Sequence, residues 1–242
     1  MSFINSLIGG MIGGAFGGPL GAVLGAVIGS KVGSKNRQSF SSNQRNQAAF
    51  FTALFACLAK LAKADGLVSR EEVDKVDSYI KERFNFPDNE RLFAIQIFNQ
   101  AKDDPYTFQD YADQLASLLS QNKNSLIMFY ELLFELAIAD GVLHDSEEKL
   151  LKEVPFIFGI RSDLFEELKA KFDNQSSDAY LVLGVSRDMS FADIKKEYQK
   201  KRREFHPDTL TSKGLPEELL EKAKERFIQI QQAYEEIEKQ KK

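Results

Sequence analysis

Apolar and polar residues follow one another along the chain in three regimes. From Ser2 to Ser30 no residue is charged, and Ile, Leu, Val and Phe fill most positions between the glycines. That stretch exceeds the roughly 20 residues a helix needs to cross a hydrocarbon core, so it predicts a membrane-spanning helix within residues 1–34. Between Lys35 and Gln47, Ser, Asn, Gln and Arg dominate and periodicity stops, which predicts a solvated linker over 35–46. Helical patterning begins near Gln47 and runs to residue 172. A short polar linker, Asp173 to Ser177, then leads to a second patterned unit over 178–242. In that unit Phe191, Ile194, Tyr198 and Phe205 share one side of a helix, and Lys195, Lys196, Lys200 and Arg203 share the other. Leu219, Ala223, Phe227, Ile230, Tyr234 and Ile237 recur at three- and four-residue steps on the next helix, which can pack against the first. The expected fold is all-α: one glycine-rich transmembrane helix, a helical bundle and a C-terminal helical hairpin.

The glycines of the first segment change what its helix can do. Gly9, Gly13, Gly17, Gly21, Gly25 and Gly29 fall at a strict period of four. In water such a helix is poor, because each interior Gly costs about 1 kcal/mol relative to Ala. In lipid the same ridge lets two helices approach closely, as in small-xxx-small pairs, so a homodimer through this segment is expected. Lys31, Lys35, Arg37 and Arg45 all follow the apolar run, and none precedes it. That asymmetry argues against a cleaved signal and leaves the bulk of the chain cytoplasmic with the N-terminus outside.

The middle region repeats itself at a separation of seventy-five residues. An apolar helix is followed by Ala64-Asp65-Gly66 and Ser69 to Glu72 in one half, and by Ala139-Asp140-Gly141 and His144 to Glu147 in the other. An internal duplication in a helical domain accounts for this. Asp65, Glu72, Asp140 and Glu147 are candidate divalent-metal ligands on matching turns. The same residues also make ordinary helix stops and capping boxes, and no twelve-residue calcium loop is present. Charge is distributed in blocks of +6 over residues 1–64, −11 over 65–177 and +1 over 178–242. The single cysteine, Cys57, lies in an apolar run and reads as a core thiol.

The chemistry of the last unit centres on His206-Pro207-Asp208, between its two helices. Pro207 keeps His206 out of the helical region, and no Ser, Cys or second His stands nearby to complete a catalytic relay. An enzymatic role is therefore not expected. Nucleic acid is disfavoured too, since the unit nets only +1 and lacks an aromatic base-stacking platform. The basic stripe then reads either as a solvated helix face or as a docking surface for an acidic protein.

The Ala-Asp-Gly turns in a duplicated acidic helical domain resemble the TerB family, which implies the four acidic residues above as possible metal ligands. Tyr180-x-x-Leu183-Gly184-Val185, the basic helix, His206-Pro207-Asp208 and Phe227-x-x-Ile230-x-x-Ala233-Tyr234 resemble a J-domain in order and spacing. That resemblance implies docking on a DnaK-class chaperone and stimulation of its ATPase. Asp208 would meet a partner arginine, and His206, Pro207, Lys195, Tyr198, Lys200 and Arg203 would form the rest of the surface. Gln199 and Thr209 depart from commonly basic positions of that family. The whole order is similar to the membrane-anchored DjlA-type DnaJ-like proteins of the Gram-negative inner membrane. The expectation is a non-enzymatic co-chaperone that requires no cofactor. The alternative is a TerB-like metal-responsive membrane sensor in which the J-domain is secondary.

Overall fold

The computed structural model describes residues 17–29 and 41–241, except 67, 69–72, 75, 79, 82–85, 139–140, 173–177, 214 and 216–218. Its helices are α1 (Gly18–Gly29), α2 (Ser42–Ala62), α3 (Asp88–Asp103), α4 (Phe108–Leu118), α5 (Lys123–Ala137), α6 (Asp145–Phe158) and α7 (Leu164–Phe172). The C-terminal unit adds α8 (Ala179–Leu183), α9 (Phe191–Glu204), α10 (Pro207–Ser212) and α11 (Leu220–Lys241). No strand occurs among the described residues, so the all-α expectation holds.

Helix α2 is the axis of the first unit. Every residue from Ala48 to Ala59 is buried, as befits a helix that is apolar all round. Helices α1, α3, α4, α5 and α6 all pack on it. Phe129 of α5 meets Phe50 of α2 edge-on at 5.3 Å and Phe158 of α6 at 5.6 Å, which joins three helices through one ring. Cys57 is fully buried here and its thiol is pushed up by burial, consistent with a core role. The helix begins at Ser42, earlier than its polar composition suggests. Ser41 caps it, its hydroxyl accepting from the Gln44 N–H at 3.3 Å while the Gln44 side chain accepts from the Ser41 N–H at 3.0 Å. That reciprocal cap satisfies the orphan amides of the first turn, so residues counted as linker are helical.

The duplication is visible in the helix ends. Helix α2 is capped at Lys63 and α5 at Ile138, seventy-five positions apart. Their amides bond back to the equivalent carbonyls of Ala59 and Phe134 at 3.2 and 3.1 Å. Gly66 and Gly141 then close the two turns at φ 131° and 86°, where a side chain would be strained. Their N–H groups donate to Lys63 and Ile138 at 3.0 and 2.9 Å. Asp65 is exposed, and Glu147 accepts from the His144 N–H at 3.1 Å as the capping partner of α6. Glu72 and Asp140 lie outside the described residues. Among the described residues no group of three or more His, Cys, Asp or Glu is placed to hold a metal ion.

The N-terminal segment is described over a shorter range than the span expected from its sequence. Helix α1 has 12 residues, a rise of about 18 Å against a hydrocarbon core of about 30 Å. Among the described residues no helix is long and apolar enough to cross a membrane. Gly9 and Gly13 lie outside the described residues. Leu20, Val23, Leu24, Val27 and Ile28 are buried against α2, α3 and α4. The Gln114 side chain of α4 brackets the helix start, accepting from the Leu20 N–H at 2.9 Å and donating to the Gly17 carbonyl at 2.6 Å. A Cβ added at Gly17 or Gly25 would meet nothing within 4 Å, so at these positions the ridge is not consumed by packing, whereas Gly21 is buried.

Phe129→Ala should lower stability by about 3–5 kcal/mol, because it opens a cavity where three helices meet. Phe156→Ala, at a position 91% exposed, should stay within about 0.5 kcal/mol of the parent. Urea unfolding of the detergent-solubilised chain, followed by circular dichroism, checks both.

Candidate functional site

The hairpin's helices begin and end on local caps. Asp178 caps α8 by accepting from the Tyr180 N–H at 3.0 Å, and Gly184 ends that helix at φ 58°, a left-handed turn suited to glycine. Arg187 bonds Asp178 at 2.7 Å and lies 4.6 Å from the Tyr180 ring centre. Ser190 caps α9, its hydroxyl accepting from the Asp193 N–H at 3.2 Å. The Ser190 hydroxyl and Lys196 hold the Asp193 carboxyl below its ordinary value. Lys241, near the end of α11, donates to the carbonyls of Arg187 and Met189 at 3.1 Å each and ties the hairpin's far end to the α8–α9 turn.

The apolar stripe read on α9 and α11 forms the hairpin core. Ile194, Phe205, Ala223, Ile230 and Ile237 are buried, and Tyr198 stacks on Tyr234 with ring centres 4.1 Å apart and planes 8° from parallel. Phe191 covers the same Tyr234 ring at 5.9 Å. Tyr198 was grouped with the docking residues on sequence grounds, and the structure places its half-buried ring in this stack between the helices. Lys195, Lys196, Lys200, Arg202 and Arg203 are exposed along the other face of α9. Their same-helix contacts include Lys196 to Asp193 at 3.0 Å and Arg203 to the Gln199 carbonyl at 3.2 Å. Such contacts leave a solvated cationic stripe.

His206-Pro207-Asp208 is more ordered than a simple turn. His206 is extended at φ −61° and ψ 133°, as the following proline requires, and Pro207 starts the short helix α10. The His206 Nδ1 accepts from the Asp208 N–H at 3.3 Å, so the imidazole caps α10. Nδ1, engaged as an acceptor, does not also donate to the Asp208 carboxylate 3.8 Å away. Phe227 holds the ring edge-on at 5.5 Å. Between Phe205, fully buried on one side, and Leu210, fully buried on the other, the Asp208 side chain stands 94% exposed. The arrangement therefore presents one rigidly based carboxylate beside a cationic stripe.

Sequence reasoning passed over a second charged group on α11. Arg226 is only 3% exposed, and its Nη1 lies 2.7 Å from Glu167 of α7 and its Nε 3.1 Å from Glu131 of α5. Burial works against the Arg226 charge, but Glu131 and Glu167 outweigh it and hold its pKa above the ordinary value. One turn earlier, Lys222 lies 2.6 Å from Glu135. The available signal was the four-residue spacing of Lys222 with Arg226 and of Glu131 with Glu135, which puts each pair on one helix face. Nothing in that spacing says that the two faces meet.

Family profiles match the chain in the order co-chaperone DjlA transmembrane domain over residues 1–39, tellurite resistance protein TerB over 51–170 and DnaJ domain over 178–242. Among curated proteins, the co-chaperone protein DjlA of Photobacterium profundum is 31% identical, the alignment covering 83% of this chain and 81% of the relative. Those of Aliivibrio fischeri and Salmonella typhimurium are 31% and 30% identical, over 83% and 84% of this chain and 82% and 83% of theirs. No solved structure matches. The first profile supports membrane association of the N-terminal segment.

The geometry separates residues that build the hairpin from those it displays. Tyr234→Ala should cost about 3 kcal/mol, since it removes a buried ring stacked on two others. Asp208→Asn should leave the thermal midpoint within the equivalent of about 0.5 kcal/mol. Differential scanning calorimetry of the two variants beside the parent measures the contrast.

Proposed function

The chain belongs to the DjlA co-chaperone family, and from that premise we propose that its 206–208 loop and basic α9 face dock on a DnaK-class chaperone and stimulate its ATPase at the cytoplasmic face of the inner membrane. The observation that carries this reading is the exposed Asp208 carboxylate on a capped, buried base. A carboxylate standing 94% in solvent loses its hydration on docking, so the contact is favourable only if the partner supplies a cation in return. An arginine does so best, with two parallel hydrogen bonds of fixed geometry. The cationic stripe of Lys195, Lys200 and Arg203 then attracts an acidic surface and sets the orientation in which that pair forms. His206 acts as the positioning cap for the Asp208 backbone, and Pro207 sets the direction of the helix that follows. The chain contributes no catalytic group of its own in this scheme; it acts on the partner's active site.

Residues 1–39 are the anchor in this reading, as a single span with the N-terminus outside. The described part of that segment leans on α2, α3 and α4 through Leu20, Val23, Leu24, Val27 and Ile28. Bilayer insertion exchanges those contacts for acyl chains of equal apolarity, and Gly17 and Gly25, open in the fold, become available to a second copy.

The test is steady-state ATP hydrolysis by a purified bacterial DnaK with the full chain reconstituted in vesicles. The parent should stimulate turnover, and Asp208→Asn and His206→Gln should each return it to the basal rate, since truncating one partner of a desolvated pair costs about 2–5 kcal/mol. Raising salt from about 50 to 300 mM should weaken the half-maximal concentration through the cationic stripe. A parent chain that stimulates no more than the two variants rules the proposal out.

A further inference from the structure

Helix α11 has a second face whose design the docking reading leaves unused. Its apolar side packs on α8, α9 and α10, while Lys222 and Arg226 turn toward α5 and α7 of the helical domain. The contacts run in opposite order, Glu131 with Arg226 and Glu135 with Lys222, so α5 and α11 cross antiparallel with two charge rows in register. Glu167, itself 4% exposed, binds Arg226 through one carboxylate oxygen and Arg161 through the other. Lys201 of α9 adjoins the cluster; burial, together with Arg161 and Arg226, pushes its pKa down to about 8. Burial likewise pushes the Glu131 carboxyl up, against the pull of Arg226.

Two features separate this contact from ordinary surface pairing. A cavity of about 300 Å³, lined by Met128, Leu132 and Leu168 beside Glu135, Lys222 and Arg226, lies between α5 and α11. Apolar packing across the joint is thus incomplete, and the charge rows supply its register. The Arg226 guanidinium also lies 5.9 Å from the ring centre of Phe205, the buried residue immediately before the loop. It therefore touches the base of the loop on one side and carboxylates of the other domain on the other side.

We propose that Arg226 is a positioning residue for the 206–208 loop: held between Phe205 and the Glu131 and Glu167 carboxylates, with Lys222 and Glu135 as its outer partner pair, it locks the hairpin on the helical domain in one orientation. The loop is then offered to the chaperone with the helical domain at a set place beside it, and the orientation is fixed before the encounter. The functional half of this inference rests on the DnaK-class docking proposed above; the locking itself does not.

The test uses the full chain in detergent with nitroxide labels at Phe156→Cys and Lys239→Cys, both exposed positions; Cys57 is buried and stays unlabelled. Pulsed electron paramagnetic resonance should give one narrow distance distribution for the parent. Arg226→Gln and Lys222→Glu should each broaden it, Arg226→Lys should stay closer to the parent, and Lys222→Glu with Glu135→Lys should restore the narrow peak. In the ATPase assay the broadened variants should keep maximal stimulation, with the half-maximal concentration raised about threefold or more. A parent distribution that is already broad, or one that neither Arg226→Gln nor Lys222→Glu changes, overturns the lock. Broadening with no change in half-maximal concentration overturns its role in docking. A parent chain that fails to stimulate the ATPase overturns the docking proposal and leaves the distance result standing. Circular dichroism of each variant separates opening from unfolding, and the restored charge-swapped pair provides the answer should Arg226→Gln fail to fold.

Discussion

A buried charge must find an opposite charge or cease to be one, and Arg226 is where this protein meets that condition across two domains. A guanidinium cannot neutralise itself at any ordinary pH, so a site that takes it almost wholly out of water has to bring carboxylates to it. Glu131 and Glu167 come from helices of the middle domain, and the cation comes from the last helix of the chain. Net stabilisation from such a cluster is modest, because desolvation opposes Coulomb attraction. Its specificity is not modest, since few alternative placements of α11 on α5 and α7 leave every member paired. Apolar packing is incomplete beside the cluster, and in the proposed lock the charge pairs set the position of the J-domain.

The opposite regime holds at the loop. Asp208 is as exposed as Arg226 is buried, yet its backbone too is held by local structure. Pro207 sets φ, the His206 imidazole caps the short helix, and Phe205 and Leu210 pin both ends in the hairpin core. A rigid base beneath a solvated charge suits recognition, because little conformational freedom remains to be lost on docking while the charge itself stays available. The aromatic stack of Phe191, Tyr198 and Tyr234 serves the same end from inside, keeping α9 and α11 in register so that the basic stripe and the loop face one way.

The middle domain shows how a duplicated sequence becomes two unequal halves. Both repeats stop their first helix at corresponding residues and turn on a glycine. Helix α2 is nonetheless buried on all sides from Ala48 to Ala59, whereas α5 gives one face to the core and its Glu131 and Glu135 to the J-domain. The acidic residues of the turns that are described serve as caps or stand in solvent. The acidity that organises the contact between domains lies on a helix face instead.

Much of this was legible in the sequence because it depends on neighbours three or four residues apart. The helical period, the Gly66 and Gly141 stops, the extended residue before Pro207 and the seventy-five-residue repeat are local rules written in residue type. So is the family order, since its motifs are short and ordered along the chain. The early start of α2 was missed although its signal, Ser41 followed by Gln44, was local, because a polar run reads as linker until its cap is noticed. The meeting of α5 with α11 was of another kind. Sequence reasoning passed over Lys222 and Arg226, and only the tertiary fold decided that they would be buried. Spacing along a helix shows which charges stand together, but not which other helix lies against them, because that choice is made by the summed burial and pairing of residues nearly a hundred positions apart.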